Sequence, residues 1–349
     1  MAYPYWVRFP TLCHFILHFT VLQEVGQMER VTLGESGLEV SPIAFGTWQL
    51  SPRFWGAQSK EATIAAMKLA FDLGVNFFDT AEAYGDGQAE CVLGEAVKDL
   101  PRDEIVIATK VFNHFGPDGT RYPDLSPEHI AQRCEVSLDR LGIETIDLYF
   151  LHMWDPLTPL ADIAGALERL REQGKIRSYG VSNHTVEQCR AQRRMGAYTV
   201  MQPPYSLIEP SGEADLLPYC QSENIGVMIF SPMHKGLLSG KYKGTETFSD
   251  FRDIHPDFQG ERFLDLCTRV QSLKPMADGY GLTIYQLVLA ATLMHPAIDV
   301  AICGIKTSDQ ITEATGAVGK TLSREDYFEV RKTVGPEGTK VLDAKGVRK

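Results

Sequence analysis

Eight short apolar, β-branched runs recur along this chain, and stretches with helical spacing lie between them. The runs are PIAFGTW (42–48), NFFDTA (76–81), IVIATK (105–110), TIDLYFLH (145–152), IRSYGVSN (176–183), YTVMQ (198–202), GVMIFSP (226–232) and DVAICGI (299–305). Several are apolar almost throughout, the pattern of parallel strands covered on both faces. Between them, EATIAAMKLAFDLG puts Ile64, Met67, Phe71 and Leu73 near one face and stops at Gly74. SPEHIAQRCEVSLDRLG opens with Ser126 and Glu128 as helix-start signals and stops at Gly142, and PLADIAGALERLREQG ends at Gly174 in the same way. Eight strands alternating with helices predict an α/β fold, a (β/α)8 TIM barrel. The 349 residues suffice for one such barrel with a sizeable core. Residues 29–41, turning at 34–37, are expected to form an N-terminal β-hairpin plugging the barrel floor. Residues 233–276 form one long loop after strand seven, the length of a lid or binding loop.

The barrel is expected to span 28–333, with a charged tail over 334–349. Residues 1–27 are aromatic and nearly uncharged, and we expect an extension outside the fold. Their apolar stretch 12–22 is shorter than the roughly 20 residues of a membrane span and lacks a small-residue cleavage site. A net charge of −11 argues against a nucleic-acid surface. Seven cysteines without CxxC or His-rich spacing predict reduced thiols in a cytoplasmic protein and no metal site.

Chemistry in such a barrel sits at the strand C-termini, and polar residues fall there. Asp79 and Tyr84 follow the second strand, Lys110 closes the third and His152 the fourth, while Asn183 and Gln202 end the fifth and sixth. A phenol with a pKa near 10 donates poorly at neutral pH. A neighbouring ammonium favours phenolate and is expected to lower that value, a carboxylate holds the ammonium in place, and an imidazole can orient a carbonyl oxygen. Singly, each has an ordinary alternative: Asp79 as a turn cap, Tyr84 and His152 as core residues, Lys110 as a snorkelling side chain. Four such coincidences at successive strand ends are a poor account. GDGQAE (85–90) lacks the third glycine of a dinucleotide fingerprint and reads as a turn, and there is no Walker A, HExxH or GxSxG motif.

The signature FFDTAEAYGDG (77–87), with Lys110 and His152 following at matching intervals, resembles the aldo-keto reductase superfamily, NAD(P)H-dependent carbonyl reductases on a (β/α)8 barrel. The resemblance runs from about Glu29 to Arg331. It implies Tyr84 as general acid, Lys110 and Asp79 as the groups that tune it, and His152 as a positioner of the substrate carbonyl. It also implies that Gly46, Thr47, Trp48 and Asp79 line the nicotinamide site. Ser182, Asn183 and Gln202 would bond the carboxamide, and Phe230, where the family commonly has Tyr, would stack on the ring. Ser231, Met233, Gly236, Leu238 and Lys241 would close over the pyrophosphate. At the adenosine end, Gly304, Lys306, Thr307, Gln310 and Glu313 are implied, with Lys306 and Thr307 on a 2′-phosphate. Gln310 would lie along the adenine and stands where the family often has Arg. NADP(H) is accordingly expected in preference to NAD(H).

The expected activity is reduction of aldehydes or ketones to alcohols, or the reverse oxidation of sugars or alcohols. The partner is a small carbonyl or sugar substrate, without nucleic acid or membrane. Trp48, Trp55, Tyr84, His152 and Trp154 are candidate substrate contacts, with Phe115 as a further wall. A Schiff-base lyase using Lys110 fits poorly, because Asp79 would keep the amine protonated. The alternative outside catalysis is a cofactor-binding regulatory subunit that docks on a partner protein, for which the extension 1–27 is the one supporting feature.

Overall fold

The computed structural model describes residues 28–116 and 120–336, so the expected extension 1–27 and most of the tail 334–349 lie outside the described residues, as does the Phe115 side chain. The expected strands appear as β1 (Ile43–Gly46), β2 (Phe77–Asp79), β3 (Val106–Val111), β4 (Ile146–Leu151), β5 (Ile176–Ser182), β6 (Val200–Gln202), β7 (Gly226–Phe230) and β8 (Val300–Gly304). Each pairs in parallel with its neighbours in sequence, and β8 closes on β1.

Strand period dictates two cores. Ala44, Phe77, Ala108, Leu148, Phe150, Val200, Met228 and Val300 pack in an inner cluster, while alternate residues such as Phe45, Phe78, Ile107, Tyr149, Met201 and Ile229 pack in an outer one with the helices. The helices form where capping allows. Ser59 accepts from the Ala62 N–H at 3.2 Å to start Lys60–Asp72, and Gly142, at φ 66°, ends Pro127–Leu141. Ser126 takes the N-cap position of that second helix without a side-chain bond, and its own N–H bonds Asp124 instead.

The floor hairpin pairs Val31–Thr32 antiparallel with Glu39–Val40. Leu33, Leu38 and Val40 complete the inner core. Two glycines permit this seal. A Cβ on Gly226 would stand 2.8 Å from the Leu33 carbonyl carbon, and one on Gly34 (φ +52°) would stand 2.1 Å from the Gly226 nitrogen.

Two features depart from expectation. The long connection after β7 is not one loop, for it carries helices Gly260–Gln271 and Lys274–Gly279 before the crossover helix Ile284–Leu293. Phe263, Leu266, Cys267 and Val270 are buried on one face, and that spacing of three and four residues was the signal for a helix. The 111–125 segment, which holds none of the eight strand candidates, forms a second hairpin, with Asn113–Phe115 against Arg121–Pro123. The six described cysteines are free thiols. Among the described residues no helix is long and apolar enough to cross a membrane.

Candidate active site

Register brings the strand-end residues together. Asp79 pairs with Gly46 on one side and Ala108 on the other, and Lys110 pairs with Phe150. The Lys110 side chain is fully buried and reaches sideways to β2. Its Nζ donates to Asp79 Oδ1 at 2.7 Å, to the Thr80 carbonyl at 2.7 Å and to Tyr84 Oη at 3.4 Å. From β6, Gln202 Nε2 donates to Asp79 Oδ2 at 2.8 Å. The His152 ring meets the Tyr84 ring edge to face, with centroids 5.9 Å apart. Asn183, held at φ 56°, donates its amide to the His152 carbonyl at 3.0 Å and to Ser182 Oγ at 3.1 Å. All four residues of the expected proton-delivery set therefore converge at one mouth.

Two buried carboxylates absent from the sequence reading set the loop that presents Tyr84. Glu82 accepts the Phe112 N–H at 3.0 Å and pairs with Arg133. Glu90 accepts from Thr109 Oγ1 at 2.7 Å and from Arg140 at 3.0 Å. Acids following the apolar strand NFF, in DTAEAYGDGQAE, were the available signal, since a buried charge requires a partner.

Electrostatics correct one expectation. Burial is the largest influence on the Tyr84 phenol and raises its pKa above the ordinary value, as does Asp79; Lys110 pulls it down but does not outweigh them. Lys110 offsets a desolvation cost and does not leave a net acidic phenol. Burial works against the Lys110 charge, yet Asp79 and Tyr84 together raise its pKa. Burial raises the Asp79 carboxyl against the pull of Lys110 and Gln202. Burial, then Lys110, lowers the His152 imidazole to about 3. His152 is half-buried and lines the cavity.

The mouth opens into a cavity of about 950 Å³. Gly46, Trp48, Trp55, Asp79, Tyr84, His152, Ser182, Asn183, Gln202, Phe230, Ser231, Met233, Gly236, Lys241, Gly304, Lys306, Gln310 and Glu313 line it. Gln310 accepts the Lys306 N–H at 2.7 Å, and Glu313 accepts from the Thr283 hydroxyl at 2.8 Å.

Lys110 lies behind the cavity wall, and four residues expected to touch cofactor or substrate do not line the cavity either. Thr47 is buried and bonds Thr80 Oγ1 at 2.8 Å, and Leu238 lies fully inside the core. Thr307 is exposed and caps helix Ser308–Thr315. Trp154 packs edge-on against His184, centroids 5.4 Å apart. Arg252, Lys235, Tyr205 and Gln49 line the cavity although the sequence reading did not select them. Arg252 and Lys235 belong to the long connection, whose path the sequence does not determine. That connection is fastened to the barrel by His234, which contacts Asp257 Oδ2 at 2.7 Å and Ser206 Oγ at 3.2 Å.

The geometry has counterparts among known proteins. The model of the aldo/keto reductase family matches residues 42–334. The chain belongs to the aldo/keto reductase family. It is 33% identical to the aldo-keto reductase YhdN of Bacillus subtilis, over 87% of this chain and 92% of that protein. It is 31% identical to an NADH-specific methylglyoxal reductase of Escherichia coli, covering 87% and 98%. A putative voltage-gated potassium channel subunit beta of Schizosaccharomyces pombe is 34% identical, covering 82% and 87%. Among solved structures, a glycerol dehydrogenase from Gluconobacter oxydans aligns with a TM-score of 0.81 at 29% identity, covering 88% of this chain and 95% of that one. An aldo/keto reductase from Klebsiella pneumoniae, in complex with NADP and acetate, aligns with a TM-score of 0.70 at 29% identity, covering 88% and 96%.

As an aldo/keto reductase, this protein is an NAD(P)H-dependent oxidoreductase acting on carbonyls. Its cavity fits a dinucleotide in size and donor set. Buried polar atoms of Gln49 and Trp55 on the cavity wall have no partner, and Lys241 and Lys306 form no ion pair among the described residues. An unspent donor on Trp55, an unspent acceptor on Gln49 and the two cations along one pocket suit a polar, anionic ligand.

Proposed function

We propose that this protein reduces aldehydes and ketones to alcohols, and oxidises alcohols or sugars in reverse, with NADP(H) in preference to NAD(H). The observation that carries the reading is the Lys110 ammonium, 2.7 Å from Asp79 and 3.4 Å from Tyr84 Oη, at the foot of a large open cavity. The bound dinucleotide would supply the hydride to the carbonyl carbon. Tyr84 gives its proton to the carbonyl oxygen, and Lys110 stabilises the negative charge then developing on the phenol oxygen. Asp79 and Gln202 hold the ammonium in register. His152 stays neutral and turns a ring N–H toward the substrate oxygen. Ser182, Asn183 and Gln202 orient the carboxamide, and Phe230 stacks on the nicotinamide. Lys241 and Lys306 bias the far end toward the extra phosphate of NADP(H), in contrast with the Escherichia coli relative named for NADH. The setting is cytoplasmic.

Coenzyme oxidation, followed by absorbance against a panel of small aldehydes, aldoses and quinones, tests the activity. Tyr84→Phe is expected to abolish turnover and leave coenzyme binding intact, and a fully active variant removes the proton-donor role.

The relative named as a potassium channel subunit beta favours one second reading, a cofactor-binding regulatory subunit that docks on a partner. Deleting residues 1–27 separates the two: unchanged turnover supports the enzyme.

A further inference from the structure

The second hairpin meets helix Pro127–Leu141 through three side chains that the proposed reaction does not use. His114 comes from the first strand of the hairpin, Asp124 follows the second, and His129 lies in the first turn of the helix. His114 Nδ1 and His129 Nδ1 each stand 3.6 Å from Asp124 Oδ2, and the three residues offer ligand atoms that all lie within 4.8 Å of one another. Both contacts are too long for a hydrogen bond, so neither is a closed imidazolium–carboxylate pair. His129 is only 7% exposed, and its Nε2 meets the Asn113 carbonyl at 3.1 Å. A carbonyl only accepts, so Nε2 carries the proton and the neutral ring keeps a lone pair on Nδ1. That buried lone pair has no donor among the described residues and faces a carboxylate oxygen. Two electron-rich atoms aimed at each other across a buried gap call for a cation between them.

The surroundings are arranged to suit one. Asp124 Oδ1 accepts the Ser126 N–H at 2.9 Å, which leaves Oδ2 to the two histidines. The His114 ring is held by stacking on Tyr122, with centroids 4.5 Å apart and planes within 10°. Arg133, the next cation along the helix, pairs with Glu82. Two imidazoles and one carboxylate suit a transition-metal dication such as zinc, whereas magnesium and calcium require more oxygen ligands. Tetrahedral ligands at about 2.0–2.1 Å from zinc lie about 3.3 Å from one another, so small rotations of the part-exposed His114 ring would close the site. A ligating histidine ordinarily donates its other N–H to a carbonyl, and a ligating carboxylate is itself hydrogen-bonded, as His129 and Asp124 are. The residues follow no ligand motif in the sequence, which predicts no metal site; hairpin pairing brings them together.

We propose that His114, Asp124 and His129 bind a zinc-type divalent cation, with water in the fourth position, and that the ion fastens the second hairpin to helix Pro127–Leu141. Asn113 and Arg121 of that hairpin line the cavity. The Asn113 N–H also donates to Glu82 Oε1 at 3.3 Å, the carboxylate that sets the Tyr84 loop. The ion takes no part in hydride transfer and stiffens one wall of the cavity. The site is independent of which coenzyme binds.

The test is calorimetric titration of the full, chelator-stripped chain with zinc chloride and, separately, magnesium chloride. One tight zinc site per chain is expected, without comparable magnesium binding; equal affinity for magnesium overturns the ligand chemistry. His114→Ala removes a part-exposed ligand, and zinc should bind at least about tenfold more weakly, a loss seen even for outer-shell partners. Asp124→Asn should weaken it likewise and serves where the first variant fails to fold. Cys91→Ser and His255→Ala, which remove the exposed thiol and a histidine of a second His–Asp cluster, should leave the site intact. Its loss in either control overturns the assignment, as does a wild-type chain with no tight zinc site or a site that survives both ligand variants. Zinc should slow amide exchange over 111–125 in the wild type and not in His114→Ala, and unchanged exchange with zinc bound overturns the fastening.

Discussion

Replacing Lys110 with methionine tests the site at its centre. The ammonium lies 3.4 Å from Tyr84 Oη. At an effective dielectric of about 20, a full phenolate at that distance gains about 5 kcal/mol from the cation. With roughly half a charge on the phenol oxygen in the transition state, about 2–3 kcal/mol of stabilisation disappears, a fall in kcat of roughly 30- to 160-fold. The loss stays at that level because Asp79, already raised by burial, takes up a proton once its cation is gone and ceases to repel the phenolate. Stability responds with a definite sign. A carboxyl whose folded pKa exceeds its unfolded value of about 3.9 stabilises the fold fully at acid pH, and that contribution is lost as pH rises through the folded value. Lys110→Met should therefore melt closer to wild type near pH 4 than at pH 7, where holding that buried carboxyl in its protonated form costs up to about 3–5 kcal/mol. Adding Asp79→Asn should restore stability without restoring turnover. Steady-state kcat for coenzyme-linked carbonyl reduction, with thermal melts at both pH values, reads all of this. A single variant within about threefold of wild-type kcat, or a double variant that regains activity, refutes the electrostatic role of Lys110.

The pH profile of kcat/KM should lack an ionisation near 6.5, because His152 is held down to about 3 and is neutral throughout the working range. Its basic limb should fall only above pH 10, since Tyr84 is raised and reduction requires the protonated phenol; a limb between 6 and 8 contradicts both assignments. Gly226→Val should destabilise the barrel floor by about 1–3 kcal/mol in denaturant unfolding, because any Cβ there meets the Leu33 backbone, and no change would mean that the hairpin seal is looser than described.

Much of this was legible in one dimension. All eight strand candidates became strands because a parallel strand covered on both faces writes an unbroken apolar run, whatever surrounds it. The residues ending those runs could be read for the same reason: a Lys or Asp closing an apolar strand has no local purpose. Trp154 and Thr307 stand outside the cavity lining, and the sequence could not show it because both lie just past a strand or turn, where Trp154 packs on His184 and Thr307 caps a helix. Arg252 went unselected because nothing local distinguishes FRDI from any polar loop.

Periodicity and residue chemistry by themselves determined the barrel, its floor hairpin and the identities of Asp79, Tyr84, Lys110 and His152 at its mouth, since these depend on patterns within a few residues. Only the closed tertiary structure decided that Gln202, 123 residues away, completes the grip on Asp79, and that the connection after β7 brings Arg252 onto Trp55. It also decided that the Tyr84 phenol is raised on balance. Desolvation is a sum over everything that surrounds a group, and only the assembled barrel defines those surroundings.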